Sequence, residues 1–116
     1  MRACLIAVAT LLVGLSAAHA KTHARTSCGV LQKMAQEHSN SMAQRNMMDH
    51  AGFDERARHG AKAENVAYGT TSKAATMAMW WASPSHASNM QLPGCKAVAS
   101  AVSHAGIRYW TMEIGR

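Results

Sequence analysis

Hydrophobic and polar positions follow three different patterns along the 116-residue chain. Residues 5–15 form an apolar run near the N-terminus. From residue 28 to about residue 48, apolar side chains recur at steps of three and four, which is the period of an amphipathic helix. After residue 94 the side chains become small and β-compatible, and residues 107–114 alternate as in a strand. The patterns predict a leader, then helices, then a hairpin.

The apolar run has the flanks of a cleavable signal peptide. Arg2 precedes it, and Ala18, His19 and Ala20 form a small-x-small cleavage site. The run is shorter than the roughly 20 residues that cross a bilayer, and no later segment is more hydrophobic. We therefore expect residues 1–20 to be removed after Ala20, with the product periplasmic or secreted and without a membrane span.

Two shorter elements are predicted after the first helix. Residues 51–53 break the helical pattern, and Asp54 is placed to cap a second helix that ends before Gly60. Residues 64–69 end in glycine and predict an ordered turn beside a short strand.

A third helix is predicted to begin after Ser72, which is suited to cap it, and to end near Ala82. Its adjacent tryptophans, Trp80 and Trp81, must face different directions, and we expect Trp80 to lie in the core. Residues 85–90 are predicted to form a single capped turn.

The order of these elements predicts an α+β fold: one domain at residues 28–116, after a flexible tail at residues 21–27. Helices would cover a small antiparallel sheet. After cleavage the cysteines are Cys28 and Cys95, and an even number in an exported chain favours a disulfide. Closing that 67-position loop contributes roughly 4 kcal/mol in the chain-entropy description.

The charge of the chain, +6 at pH 7, is basic but scattered. Its lysines and arginines form no stripe and accompany no nucleic-acid-binding motif, which argues against a nucleic-acid partner. We expect a monomer.

Three polar residues are placed to build a site. His50 and His86 each follow a predicted helix end, and Glu64 lies beside the predicted turn. A carboxylate between two imidazoles can orient them, hold a proton or complete a metal shell. His38 lies instead on the apolar face of the first helix, where we expect a core histidine bonded to backbone. The chain has no HExxH, GxSxG, CxxCH or glycine-rich phosphate motif, so no motif supports catalysis directly.

Five blocks in order resemble the CAP superfamily of cysteine-rich secretory proteins, antigen five and pathogenesis-related proteins of class one, in its short bacterial version with a Trp-x-x-Ser-Pro-x-His block. The blocks are residues 38–43, 49–53, 63–67, 80–89 and 109–111. The resemblance implies an α-β-α sandwich with a cleft lined by histidine and glutamate.

Carried over residue by residue, the resemblance implies a cleft at His50, Glu64, His86, Ser83 and Tyr109. His50 matches the first cluster histidine and Glu64 the first glutamate. Ser83 and Tyr109 stand where eukaryotic members have the second glutamate and the second histidine. His86 is a candidate for the missing imidazole.

These residues leave three functions open. The first is a secreted, non-enzymatic binding module for a small ligand, a lipid, a protein or a divalent metal, with no required cofactor. Zinc is the metal that His50, His86 and Glu64 would suit. The second is a hydrolase acting on peptide or cell-wall material, with Glu64 as general base, His50 as partner and Ser83 or a metal-bound water as nucleophile.

The third function is soft-metal handling, because Met47 and Met48 with His50 form a thioether–imidazole group that suits Cu(I). The competing interpretation is that methionine fills gaps in a small core. Four methionines lie at helical spacings and favour core packing: Met34, Met42, Met77 and Met79.

Overall fold

Residues 26–115 are described by the computed structural model. The predicted signal peptide, its cleavage site and residues 21–25 of the predicted tail lie outside the described residues, as does Arg116. Within the described chain, Thr26 Oγ1 donates a hydrogen bond to the carbonyl of His59, and Ser27 caps the first helix by accepting from the Val30 amide. No helix in residues 26–115 has the length and hydrophobicity needed to cross a membrane.

The domain contains four helices and three strands within these residues. They are α1 (Cys28–Arg45), α2 (Phe53–Arg58), β1 (Ala61–Tyr68), α3 (Lys73–Ala82), α4 (Pro84–Met90), β2 (Cys95–Val102) and β3 (Arg108–Gly115).

The strands form an antiparallel sheet in the order β1-β3-β2, so β3 is the central strand. β2 and β3 are the predicted C-terminal hairpin, with residues 103–107 at its turn. Helices packed on an antiparallel sheet confirm the predicted α+β class.

Successive side chains of each strand point to opposite faces of the sheet, and both faces are buried. On one face, Val66 of β1 and Tyr109 of β3 pack against Met42 of α1. On the other, Trp110 of β3 packs with Trp80 of α3. The sheet therefore lies between α1 on one side and α3 with α4 on the other.

Several boundaries differ from the sequence-based predictions. α1 ends at Arg45 because Asn46 adopts the left-handed conformation, with φ of 51°, and closes the helix. Asp54 does not cap α2. Gly52, with φ of 75°, holds the N-cap position, and Asp54 lies in the first turn.

The segment predicted to be a turn beside a short strand belongs instead to an eight-residue strand, β1, because residues 61–68 pair with β3 along almost their whole length. The predicted single turn at residues 85–90 is longer, a seven-residue helix with Pro84 at its first position. Proline is favoured there because that backbone nitrogen has no partner inside a helix.

α3 agrees with two predictions: Ser72 caps its start, and Trp80 lies in the core. The Ser72 hydroxyl accepts from the Ala75 amide. Trp80 is fully buried, and its indole N–H donates to the carbonyl of Val66 at 3.1 Å. Trp81 is half-exposed.

The predicted disulfide between Cys28 and Cys95 is present, with the two Cα atoms 5.6 Å apart. It joins the first residue of α1 to the first residue of β2. α1 is thereby held against the sheet at one end, and the candidate site lies beside its middle, where His38 is 3.7 Å from Glu64.

Candidate functional site

Glu64 is the centre of a buried polar cluster on the α1 side of the sheet. It lies in the middle of β1, and its carboxylate is almost completely buried. Oε1 is 2.7 Å from His50 Nδ1, while Oε2 accepts from Arg56 Nε and Nη2 at 2.8 and 2.5 Å. Both oxygens are therefore engaged by side chains that arrive from the α1–α2 connection and from α2.

His50 connects this cluster to solvent. It lies in the connection between α1 and α2, and its side chain is 56% exposed. An ionised carboxylate can only accept hydrogen bonds, so the contact with Glu64 places the ring proton on Nδ1. In the neutral ring, Nε2 then carries a lone pair directed away from the carboxylate. The carboxylate fixes both the tautomer and the orientation of the imidazole.

Arg56 also fixes the backbone beside His50. Its Nη1 donates to the carbonyl of Ala51 at 2.9 Å. One guanidinium thus holds both the carboxylate behind the imidazole and the peptide that follows it.

Glu113 is the second carboxyl group of the cluster. It is the direct partner of Glu64 in the β1–β3 ladder and is fully buried. Arg56 Nε lies 2.8 Å from Glu113 Oε1, but its N–H is directed at Glu64. No donor among residues 26–115 reaches either oxygen of Glu113 when that group is ionised.

The two carboxyl groups therefore share one negative charge. Burial, together with the adjacent Glu64, raises the pKa of Glu113 to about 9. Burial alone would also raise the pKa of Glu64, but hydrogen bonds with Glu113 and His50 and the charges of His38 and Arg56 outweigh it and lower the pKa. A proton held by Glu113 donates a hydrogen bond to Glu64, which gives one of the two unpartnered oxygens a partner. The single negative charge of the Glu64–Glu113 pair is then balanced by the positive charge of the Arg56 guanidinium.

His38 supports the segment that carries His50. It is buried, and its Nε2 is hydrogen bonded to the carbonyl of Asp49 at 2.7 Å, which confirms the predicted core histidine bonded to backbone. Burial lowers the pKa of His38. Asp49 itself is held by both terminal nitrogens of Arg45, at 2.6 and 2.9 Å, and the hydrogen bonds from Arg45 lower the pKa of Asp49 to about 2.

His86 and Ser83 form a separate pair at the junction of α3 and α4. Ser83 Oγ is 2.9 Å from His86 Nδ1. The backbone carbonyl of His86, rather than its ring, is tied to β1 by Asn65 Nδ2 at 3.1 Å. The structure therefore brings His50 together with Glu64, and Ser83 together with His86.

The predicted zinc ligands do not fit a three-ligand site as they are placed. Among residues 26–115, no three His, Cys, Asp or Glu side chains are arranged to hold a metal ion. The oxygens of Glu64 are already bonded to His50 and Arg56. A zinc ion would have to displace both contacts.

Asn65 fixes the main chain of β1 next to the cluster. It is fully buried, and its Oδ1 accepts from Asn89 Nδ2 at 2.9 Å. Asn89 also reaches the carbonyl of Glu64 at 3.4 Å. This amide pair links β1 to α4 and fixes the strand that carries Glu64.

Tyr109 belongs to a different part of the same sheet face. Its ring is buried, and its hydroxyl donates to Asn46 Oδ1 at 3.1 Å. It pairs with Tyr68, four residues along β1 from Glu64, which is about 13 Å at the rise of an extended strand. It does not join the His50–Glu64 pair.

The methionines divide between core and surface. Met42 is fully buried, and Met34 and Met77 pack against core residues, as the core-filling interpretation predicts. Met79 is an exception, since it is exposed. Met47 and Met48 are also exposed, on the segment leading to His50.

Arg56 and Glu113 are the two cluster residues that the sequence analysis does not identify. A signal for Glu113 exists, because it shares its strand face with Tyr109 and Thr111, both buried. A glutamate on an inward-facing strand position needs a partner in the core. Arg56 gives no comparable signal in the sequence, because it lies in a short helix with several other charged residues.

Comparison with known proteins agrees with the motif blocks. No curated protein matches the chain. The family model described as CAP, the cysteine-rich secretory protein family, matches residues 15–114, which is most of the sequence. The resemblance predicted from the sequence is confirmed, and the chain belongs to the CAP family.

Proposed function

We propose that this CAP-domain protein is exported and acts as a non-enzymatic binding module, with His50 Nε2 as the contact for its ligand. One observation carries the proposal: a half-exposed imidazole is held from behind by a buried carboxylate at 2.7 Å. The signal-peptide pattern of residues 1–20 and the disulfide are in keeping with export.

The bonding of Glu64 favours binding over hydrolysis. A general base needs a lone pair within reach of the proton that it removes. Glu64 directs its oxygens at His50 and Arg56 and is sealed from solvent. It is suited to orient an imidazole rather than to activate water.

The ligand that this site fits carries a hydrogen-bond donor. Neutral His50, with its proton on Nδ1, offers an acceptor at Nε2. A hydroxyl or amine group on a small molecule is therefore the complementary chemistry.

A fragment titration of the mature chain tests the proposal. Hydroxyl- and amine-bearing small molecules, with zinc chloride as a separate arm, are added to the ¹⁵N-labelled protein and amide shifts are recorded. We expect bound compounds to shift residues 49–52 and 64, and His50→Ala to abolish these shifts. His104→Ala is the matched control, since His104 is exposed in the β2–β3 turn. Compounds that shift residues 49–52 and 64 of His50→Ala as strongly as those of the parent would contradict the proposal.

A hydrolase is the second candidate, and the Ser83–His86 contact of 2.9 Å is the observation in its favour. A serine hydroxyl paired with an imidazole is the minimal arrangement of an activated nucleophile. Incubation with a peptide and cell-wall fragment library distinguishes the two functions. Turnover by the parent that is lost in Ser83→Ala, or in Glu64→Gln, would replace the binding proposal with this one.

A further inference from the structure

A concave surface lies at the other end of the sheet face that carries Glu64. This tyrosine pocket has a volume of about 410 Å³ and is lined by Asn46, Met48, Tyr68, Ile107 and Tyr109. Its volume falls within the range of about 300–1,000 Å³ that is common for small-molecule sites. None of its lining residues carries a charge, and none belongs to the His50–Glu64 cluster.

Two stacked tyrosines form one wall of the tyrosine pocket. The rings of Tyr68 and Tyr109 are 6.0 Å apart between centroids and inclined by 23°. Tyr109 is buried and held by its hydrogen bond to Asn46, whereas Tyr68 is 57% exposed. A fixed ring beneath an exposed one restricts the exposed ring before any ligand arrives, which lowers the entropic cost of binding.

The rim of the tyrosine pocket is polar but uncharged. The Tyr109 hydroxyl donates a hydrogen bond to Asn46 Oδ1. Within the described chain this leaves the Asn46 amide N–H groups as donors, the oxygen of Tyr109 as an acceptor, and the Tyr68 hydroxyl as either. The pocket thus combines an aromatic face with donors and acceptors of both kinds.

We propose that the tyrosine pocket binds a neutral saccharide, with one pyranose ring stacked on Tyr68. The C–H groups on the face of a pyranose carry partial positive charge and complement the negative face of an aromatic ring. Its hydroxyl groups both donate and accept, as the rim requires. A charged sugar would find no partner among the lining residues, and an acyl chain would meet the polar Asn46 and the tyrosine hydroxyls.

The tyrosine pocket is a separate site from the ligand contact at His50. The tyrosine pocket is built without His50, so either site can fail without the other. The proposal depends on the π face of Tyr68, which a substitution can remove while its apolar surface is kept.

Titration of the ¹⁵N-labelled mature chain with methyl β-D-glucopyranoside and with N,N′-diacetylchitobiose tests the proposal. We expect saturable shifts at the lining residues with at least one sugar, at a Kd of about 1 mM. Tyr68→Phe should keep that affinity within about threefold, whereas Tyr68→Leu should weaken it at least about tenfold. Trp81→Leu is the matched control, because Trp81 is an exposed aromatic residue on the opposite side of the sheet. It should bind as the parent does, and so should His50→Ala.

Two results would overturn the proposal. The first is that neither sugar shifts the lining residues, and shifts caused by 1-octanol would then indicate an apolar ligand. The second is that Tyr68→Leu binds as tightly as Tyr68→Phe. Circular dichroism of each variant confirms that the domain is folded before binding is compared.

Discussion

Replacing Glu113 with glutamine tests the interpretation of the buried cluster most directly. Glutamine has nearly the shape of a protonated glutamate, and its amide N–H can donate to Glu64 as the carboxyl proton does. It cannot ionise. The variant should therefore keep the native contact while it removes the titration of Glu113.

The magnitude follows from the pKa of Glu113, which is raised from 4.5 to about 9 by burial and by Glu64. Between these values the folded state binds one proton more than the unfolded state, so rising pH destabilises the fold. The slope for a single group is about 1.4 kcal/mol per pH unit. The contribution is fully present below pH 4.5 and is lost as the pH approaches 9. Over two pH units near neutrality the change amounts to about 3 kcal/mol at most.

Urea unfolding followed by tryptophan fluorescence measures this change. The free energy of unfolding is obtained for the parent and for Glu113→Gln at several pH values between about 5.5 and 8, with the same slope m in each fit. We expect the variant to become progressively more stable than the parent as pH rises. Glu37→Gln is the control, because Glu37 is an exposed carboxylate on α1, and its difference from the parent should stay small and flat.

A constant difference between parent and Glu113→Gln across this range would refute the reasoning. It would mean that Glu113 does not hold its proton in the folded protein. A parent whose stability rises with pH relative to the variant would refute it as well, because the sign would be reversed.

Three further changes probe the supports of the site. Trp80→Phe should lower the free energy of unfolding by about 2–3 kcal/mol, because it removes the donor to the Val66 carbonyl and leaves space in the core; thermal unfolding measures this. Asn65→Ala should cost about 2–4 kcal/mol in urea unfolding, since buried partners lose their hydrogen bonds, whereas an effect below about 0.5 kcal/mol would show that these bonds contribute little. Reducing the bond between Cys28 and Cys95 should cost about 2–4 kcal/mol, measured as a lower melting temperature with dithiothreitol, and a Cys28→Ser/Cys95→Ser variant should be insensitive to the reductant.

The elements whose apolar positions repeat at a clear period were predicted from sequence, whereas the full length of β1 was not. α1 and the β2–β3 hairpin show the periods of 3.6 and 2 that core packing imposes. β1 lacks that signal, because Glu64 and Asn65 interrupt its apolar positions although both are buried. Their burial depends on partners far along the chain, which local periodicity does not contain.

The site was predictable only in part for the same reason. The motif blocks pointed to His50 and Glu64, and the structure places them in contact. The pairing of Glu64 with Glu113 depends on the register of β1 against β3. The role of Arg56 depends on where α2 packs. Neither follows from spacing along the chain.

The strand order β1-β3-β2 has a consequence for how the domain folds. Both β1 and β2 pair with β3, which is the last of the three along the described chain. A chain that emerges from its N-terminal end presents two strands with no partner until β3 arrives, and unpaired edges are prone to aggregate. Contacts as distant as those between Ala61 and Gly115 also slow folding. The protein therefore depends on its final strand to complete the sheet, and loss of that strand would remove both ladders together.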